Sequence, residues 1–394
     1  MSQLFRMQVG VSCFLALDSL HFPPMPVRLR FLFASILCLL LAAFALAQPA
    51  APSASESHVI QPVPGADPGD PLRFPEEKHL KNIRQLTWGG QNAEAYFSAD
   101  DKMLSFQSMR GDMKCDQIFV MNADGSNQRM VSSGKGADTC AYLFPDGQHI
   151  LYSSTEGEAP QCPPRPSYEH GYVWPVYASF DVWVSKLDGS DKHRLTTTPG
   201  YDAESTISRD GKHIVFTSMR DGDLDIYTMN ADGSHVKRLT HELGYDGGPF
   251  WSMDGKWIVY RAYHPQTPEE IKDYKELLAK NLIRPSTLEI WVMKADGSHK
   301  HQVTHLGYAS FAPFMTPDSK KIIFASNNGA EKGTMGNFEL WMINVDGTGL
   351  ERITYNPTFD SFPMFTSDGK HLVWASNRNG KPHETNVFIA DWVP

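Results

Sequence analysis

Residues Ser208-Arg209-Asp210-Gly211-Lys212-His213-Ile214-Val215-Phe216-Thr217-Ser218, followed by Leu224-Asp225-Ile226-Tyr227-Thr228-Met229-Asn230-Ala231-Asp232-Gly233, decide the fold, because the chain says this phrase six times. Near-copies stand at 98–125, 144–189, 252–297, 316–347 and 366–392. A fixed period outranks any local reading, since each unit is one supersecondary element that cannot bury its apolar faces alone. Every repeat carries four strand signals. A short one reads Arg84-Gln85-Leu86-Thr87, Arg194-Leu195-Thr196, Arg238-Leu239-Thr240, Gln302-Val303-Thr304 or Arg352-Ile353-Thr354, with Arg129-Met130-Val131 as a degenerate copy. A second ends in a Ser/Thr/Phe-x-Asp-Gly turn, a third is Ile-Val-Phe-like, and a fourth resembles Ile226–Met229 and closes on another Asp-Gly. Asp-Gly between apolar runs is a strong hairpin signal, because glycine takes positive φ without steric cost. Four short strands repeated six times predict an all-β protein, a six-bladed β-propeller of four-stranded antiparallel blades. The strand at Arg84–Thr87 is expected to complete the last blade, which leaves no long open sheet edge.

Working outward, the amino end reads as a targeting segment. Arg28 and Arg30 precede an apolar run from Phe31 to Phe44, and Ala45-Leu46-Ala47 offers a cleavage site before Gln48. Residues 1–47 are thus expected to be a signal peptide, with Met25 the better start and 1–24 an overextension. The apolar run is shorter than the roughly 20 residues of a spanning helix. Residues 48–79 begin rich in Pro, Ala, Ser and Gly and are expected to be a flexible linker. The propeller is assigned to 80–394. Removing residues 1–47 takes away three arginines and one aspartate, so the net charge goes from −9 to −11. No Lys/Arg run supplies a basic face, which argues against nucleic-acid binding. Export makes a disulfide between two of Cys115, Cys140 and Cys162 the expectation, with the pairing left open.

The repeat phrase resembles the WD-like propeller repeat of the TolB-like family, whose relatives include dipeptidyl-peptidase-IV-like propellers. The residues that carry the resemblance are Arg-Leu-Thr, Ser-x-Asp-Gly-Lys, Met-Asn-Ala-Asp-Gly, and Ser218 to Gly222 with its echoes Ser108-Met109-Arg110 and Ser376-Asn377-Arg378. The resemblance covers roughly 80–394. It implies the fold strongly and function weakly. TolB itself carries an α/β domain ahead of its propeller, and here the expected linker stands in that place.

Strand alternation puts the tight Asp-Gly turns on one face and all large insertions, 155–180, 261–288 and 327–337, on the other. Function on repeat scaffolds concentrates where insertions cluster. Six residues before each Asp-Gly turn's Ser, Phe or Thr stand Asn92, Asp138, Asp202, Asp246, Ser310 and Asp360, with Glu94 and Glu204 two residues further on. This is the expected channel-mouth ring. Carboxylates about 8 Å apart at an effective dielectric near 20 repel by about 2 kcal/mol per pair. They therefore require loop N–H donors that lock blade to blade, raised pKa values, or a cation: a basic ligand, or a Ca²⁺ ion on Asp138, Asp202, Asp246 and Asp360. The 155–180 insertion supplies the rim aromatics Tyr168, Tyr172, Trp174 and Tyr177, which either stack a ligand or pin the loop. Thr267-Pro268-Glu269-Glu270 is a capping box opening a short helix, with Ile271, Tyr274, Leu277, Leu278 and Leu282 on one stripe and Pro285 as terminator. No nucleophile elbow, paired-histidine zinc motif or phosphate loop appears. The expectation is a monomeric periplasmic or secreted module binding an envelope protein, peptide or glycan through the insertion face. The alternative is a metal-dependent lyase or hydrolase at the channel mouth. Pectin-fragment lyases share the architecture but are expected to use a histidine cluster that this ring does not have.

Overall fold

A computed structural model describes residues 60, 62–331 and 336–394. The expected signal peptide lies outside them. Six four-stranded antiparallel sheets follow one another along the chain. Counted from the innermost strand outward, blade 1 is Gln91–Phe97, Met103–Met109, Gln117–Asn122 and Arg129–Met130, and blade 2 is Asp138–Leu143, His149–Ser154, Asp181–Lys186 and His193–Arg194. Blade 3 is Asp202–Ile207, His213–Ser218, Asp225–Asn230 and Lys237–Arg238; blade 4 is Tyr245–Trp251, Trp257–Tyr263, Glu289–Lys294 and His301–Gln302. Blade 5 is Ser310–Met315, Lys321–Ser326, Glu339–Asn344 and Glu351–Arg352. Blade 6 is Asp360–Phe365, His371–Ser376 and Asn386–Trp392, completed on its outside by Leu80–Gln85. The first strand therefore closes the ring, as expected, with Leu80 opposite Trp392 and Gln85 opposite Phe388.

The repeated words each have a physical job. In the Ser-x-Asp-Gly-Lys turn, Ser208 Oγ donates to Asp210 Oδ1 at 2.6 Å while His213 N donates back to Ser208 Oγ at 3.0 Å. Gly211 sits at φ +72°, a conformation that costs other residues about 1 kcal/mol or more. The Arg-Leu-Thr threonine works as a clamp. Thr240 Oγ1 donates to the buried Asp225 carboxylate at 2.9 Å and accepts from Ile226 N at 2.9 Å. The same two bonds recur in every blade, from Ser132 to Gln117, Thr196 to Asp181, Thr304 to Glu289, Thr354 to Glu339 and Thr87 to Asn386. Each outermost strand is only two residues long in blades 1 to 5, so side-chain bonds supply the attachment that a short ladder cannot.

Three sequence expectations need correction. Of the expected linker 48–79, residues 62–79 pack onto the propeller core, with Leu72 and Glu77 fully buried. Composition misled here because four scattered residues, Val63, Leu72, Phe74 and Glu77, carry the docking. Glu77 accepts from Arg378 Nη2 at 2.9 Å, Arg378 also reaches Asp360 at 2.9 Å, and all three side chains are inaccessible to solvent. The insertion helix, Pro268–Leu278, keeps its predicted capping box, but Asn281 in the left-handed region at φ 56° turns the chain, well before Pro285. The predicted stripe is split: Tyr274 and Leu277 are buried on the helix, whereas Leu282 belongs to a following two-residue strand. Among the described residues no helix is long and apolar enough to cross a membrane.

Removing the shared cation should show how much the Arg378 triad holds. Arg378→Met leaves Glu77 and Asp360 buried without compensation, so it is expected to lower unfolding free energy by about 3–5 kcal/mol in urea titrations. Adding Glu77→Gln and Asp360→Asn to that variant should recover part of the loss. A triple variant less stable than Arg378→Met alone contradicts the triad's role.

Candidate ligand cavity at the channel mouth

Every innermost strand breaks register at the same place. The pairing with the second strand skips between Ala93 and Tyr96, Thr139 and Tyr142, Ala203 and Thr206, Gly247 and Phe250, Phe311 and Phe314, and Ser361 and Met364. At the centre of each skip stands a residue in the left-handed region: Glu94, Cys140, Glu204, Gly248, Ala312 and Phe362, with φ from 50° to 57°. Six such bulges break the two-residue alternation of a strand, so the first and third residues no longer share a face.

This separates the predicted ring into two sets. Glu94 and Glu204 line a cavity of about 650 Å³ at the axis, together with Cys140, Gly248, Ala312 and Phe362. Asn92, Asp138, Asp202, Asp246, Ser310 and Asp360 do not line it and are buried inside their own blades. The Ser-x-Arg words explain where they go. Arg220 bonds Ser218 at 2.8 Å and Asp202 at 3.1 Å, and Arg378 bonds Ser376 and Asp360 at 3.1 and 2.9 Å. His264 takes the equivalent place in blade 4 and meets Asp246 at 3.1 Å. Asn92 accepts from Ser108 Oγ and Ser310 donates to Ser326, at 2.8 and 3.0 Å. Blade 2 breaks the pattern: Glu156 stands where the arginine would be, and both Asp138 oxygens lack a hydrogen-bond partner. Burial, aided by Glu156 and opposed by Ser154 and Ser132, pushes the Asp138 carboxyl up to about 7. The four aspartates of the proposed Ca²⁺ site thus offer no common coordination sphere. Among the described residues no group of three or more His, Cys, Asp or Glu side chains is arranged to hold a metal ion.

The insertions roof this cavity. Trp174-Pro175 of the blade 2 insertion pairs with Leu282-Ile283 of the blade 4 insertion, so the two excursions join on one face, as predicted. Val173, Leu277 and Leu282 form a small apolar cluster at this junction, and Arg284 Nη1 donates to His170 O at 2.8 Å. Tyr274 OH ties the helix to Asp223 at 2.5 Å. Cys115 and Cys162 form the disulfide, joining this roof to blade 1, and Cys140 keeps a free thiol on the cavity wall. Of the rim aromatics, Tyr172 and Trp174 line the cavity; Tyr177 instead donates to Pro164 O and packs on Phe180, and Tyr168 begins a short 3₁₀ turn.

Below, the axis is plugged. Rings from opposite blades touch: Tyr96 of blade 1 meets Phe250 of blade 4 at 5.1 Å between centroids, and Phe250 meets Tyr142 at 6.2 Å and Phe314 at 5.9 Å. The channel is therefore a cup, open only toward the insertions. Its wall is aromatic on the side of blades 5 and 6, where Phe311 contacts Phe338 and Phe362 at 5.0 and 5.7 Å and Trp174 at 5.7 Å.

The opposite wall is polar. Glu204 accepts from Tyr245 OH at 3.0 Å, Gly248 N at 2.9 Å and Thr217 Oγ1 at 2.8 Å, and pairs with Arg261. Arg261 also stacks under Trp174 at 5.3 Å. Gly248 makes this possible, because a Cβ there would come within 2.1 Å of the Arg261 guanidinium. Glu94 and Asp116 have no ion-pair partner among the described residues. Burial raises the Glu94 carboxyl to about 7, against the pull of the Cys140 thiol and Arg261, and raises Asp116 to about 6 against Arg165. Sequence reading missed Arg261 and Asp116. A signal for Arg261 existed: at its register the other five second strands carry Gln107, Ser153, Thr217, Ala325 and Ala375.

Known proteins agree with the fold. A family model for the tricorn protease N-terminal beta propeller domain matches residues 165–284. The chain is similar to a putative TolB from Agrobacterium tumefaciens, with TM-score 0.50 and 19% identity over 77% of this chain and 91% of that one. TolB from Acinetobacter baumannii matches with TM-score 0.48 and 17% identity, over 77% of this chain but 63% of its own, less than two thirds of its length. Oligogalacturonate lyase from Vibrio parahaemolyticus gives TM-score 0.47 and 12% identity, over 79% of this chain and 93% of its own. No curated protein matches the sequence.

The unpaired Asp138 has a measurable consequence. Its folded pKa lies above the unfolded value near 3.9, so the native state holds a proton that the unfolded chain releases, and stability falls as pH rises from about 4 to 7. Asp138→Asn is expected to be more stable than the parent by about 1–3 kcal/mol at pH 8, with the gap closing toward pH 4. Parallel denaturation curves at the two pH values check this. A gap that does not depend on pH means that Asp138 is not the buried acid described.

Proposed function

We propose that the chain is an exported envelope protein that binds a peptide or protein segment in the cup at the channel mouth, under the roof built by the blade 2 and blade 4 insertions. The observation that carries this reading is the cup itself. All six innermost strands, the blade 2 insertion, which the blade 4 insertion buttresses, and the end of the blade 5 insertion converge on one closed-bottomed cavity of about 650 Å³, a volume within the range of ligand pockets. Its mixture of aromatic rings with a few convergent polar groups is the composition of recognition sites. The Ala45-Leu46-Ala47 segment and the disulfide between Cys115 and Cys162 support a periplasmic or secreted location, where such bonds persist. The similarity to the TolB propellers supports the fold on which the reading stands. A glycan end is the other ligand that an aromatic cup of this kind accommodates.

A hydrolytic or lyase reading draws on one observation: Glu94, at about 7, can exchange a proton near neutral pH inside a cavity. Its metal-dependent form is less well supported, because the four aspartates it needs face into their blades.

Selection of a random peptide library on the protein tests the binding reading. Thr358 is exposed and lines the cup, so Thr358→Trp should fill it at the cost of one hydrogen bond, from Thr358 Oγ1 to Asn356 Oδ1. Selected peptides are expected to lose at least about tenfold in affinity for this variant, equivalent to about 1.4 kcal/mol, and to lose affinity for Trp174→Ala. Peptides that bind both variants as tightly as the parent place recognition elsewhere.

A further inference from the structure

The cup's charge is unbalanced. Glu94, Asp116 and Glu204 face it with one cation, Arg261, and that cation is committed to Glu204. One further polar group in the same wall is vacant: Ser205, 1% exposed, leaves its Oγ without a partner, and a hydroxyl oxygen accepts from a donor such as an ammonium. Across the cup stand Phe311, Phe338, Phe359 and Phe362, with Tyr172 and Trp174 above. Aromatic faces attract cations, and the effect strengthens where water is scarce.

We infer that the ligand of this cup is an organic cation: an ammonium held by Glu94 and Asp116, on an apolar body that lies against the aromatic wall beneath Trp174. This rests on the reading of the cup as a binding site and adds the charge and shape of what enters it. A neutral ligand leaves two carboxylates desolvated without a direct ion pair, and an anion adds repulsion to that cost. An ammonium held by both carboxylates halves that unbalanced charge, and its apolar part covers rings that otherwise face a wet cavity. The second cavity on this face, about 690 Å³, shares Tyr172, Trp174 and Phe338 with the cup and opens beside Arg284 and Tyr308. An extended ligand therefore has a path in which its charged end lies deep and its remainder leaves past the roof.

Calorimetric titration of the mature protein at pH 8 with three matched probes tests the inference. The probes are phenethylamine, 2-phenylethanol and 3-phenylpropanoate, equal in ring and similar in length but positive, neutral and negative. Phenethylamine is expected to bind at least tenfold more tightly than the alcohol, and the carboxylate not measurably. Glu94→Gln is expected to weaken the amine about tenfold and Asp116→Asn by several-fold, while neither changes the alcohol. Unfolding midpoints of both variants, together with their unchanged affinity for the alcohol, show that the fold and cup are intact. Equal affinity for amine and alcohol overturns the cation assignment and leaves the binding site standing. Amine binding indifferent to both substitutions, or no binding by any probe, also overturns it. The peptide selection decides the parent reading separately, because its score is loss of affinity on filling the cup, whatever the charge of the peptide.

Discussion

The whole arrangement depends on one backbone event repeated six times, the left-handed residue two places after Asn92, Asp138, Asp202, Asp246, Ser310 and Asp360, which count as the first positions of the innermost strands. Without it, residues 202 and 204 share a strand face, and so do 92 and 94 in blade 1. With it, the first residue turns into the blade and the third turns to the axis. The cost falls on five residues that are not glycine, since positive φ strains an L-amino acid by about 1–2 kcal/mol. The surrounding ladder offsets that strain, because the bulge sits between paired segments on both sides. A propeller has room at its axis for only a few side chains, and the bulges turn five toward it, with Gly248 in the sixth place.

Around that axis, rigidity is graded. The aromatic plug and the threonine clamps tie the blades to one another and to themselves, so the floor and walls of the cup are set by packing. The roof is held differently: Val176, Phe180, Tyr274 and Ile283 anchor its base in the core, and one disulfide ties it to blade 1. Its outer part rests on two pairs of strand residues and the small Val173, Leu277 and Leu282 cluster, so that part opens at lower free energy than the blades do. That division suits a site with a fixed interior and a cover that admits a ligand. The same logic accounts for the segment 62–79. By burying Glu77 against Arg378 it locks the last blade to the chain that precedes the first, beside the closing strand.

Much of the fold was legible because its signals are local and repeated. Asp-Gly turns, Ile-Val-Phe strands and Arg-Leu-Thr words each report on a few neighbouring residues, and six copies average out the noise. The insertion face and the capping box of Thr267 were readable for the same reason. The site was only partly legible. Glu94 and Glu204 were picked out, but with a ring that proves to point elsewhere, because strand alternation was applied across a bulge that no single repeat announces. Comparison among repeats holds the missing information. Asp202 goes with Arg220 and Asp360 with Arg378, whereas Asp138 goes with Glu156, and that covariation inside one chain marks the aspartates as internal partners. Arg261 was visible in the same way, as one large cation at a register where the other repeats place small or neutral residues. Asp116 and the docking of Leu72 and Glu77 left no such trace, since both depend on contacts between distant parts of the chain.

The central claim is that first-position residues of the innermost strands face into the blades and third-position residues face the cup. Thiol accessibility measures this directly. In a Cys140→Ser background, Asn92→Cys and Glu94→Cys place a reporter at each of the two positions of blade 1, and a small methanethiosulfonate reagent reads their exposure. The account predicts rapid modification at position 94 and protection at position 92 until the protein unfolds. Equal rates, or the reverse order, would contradict it.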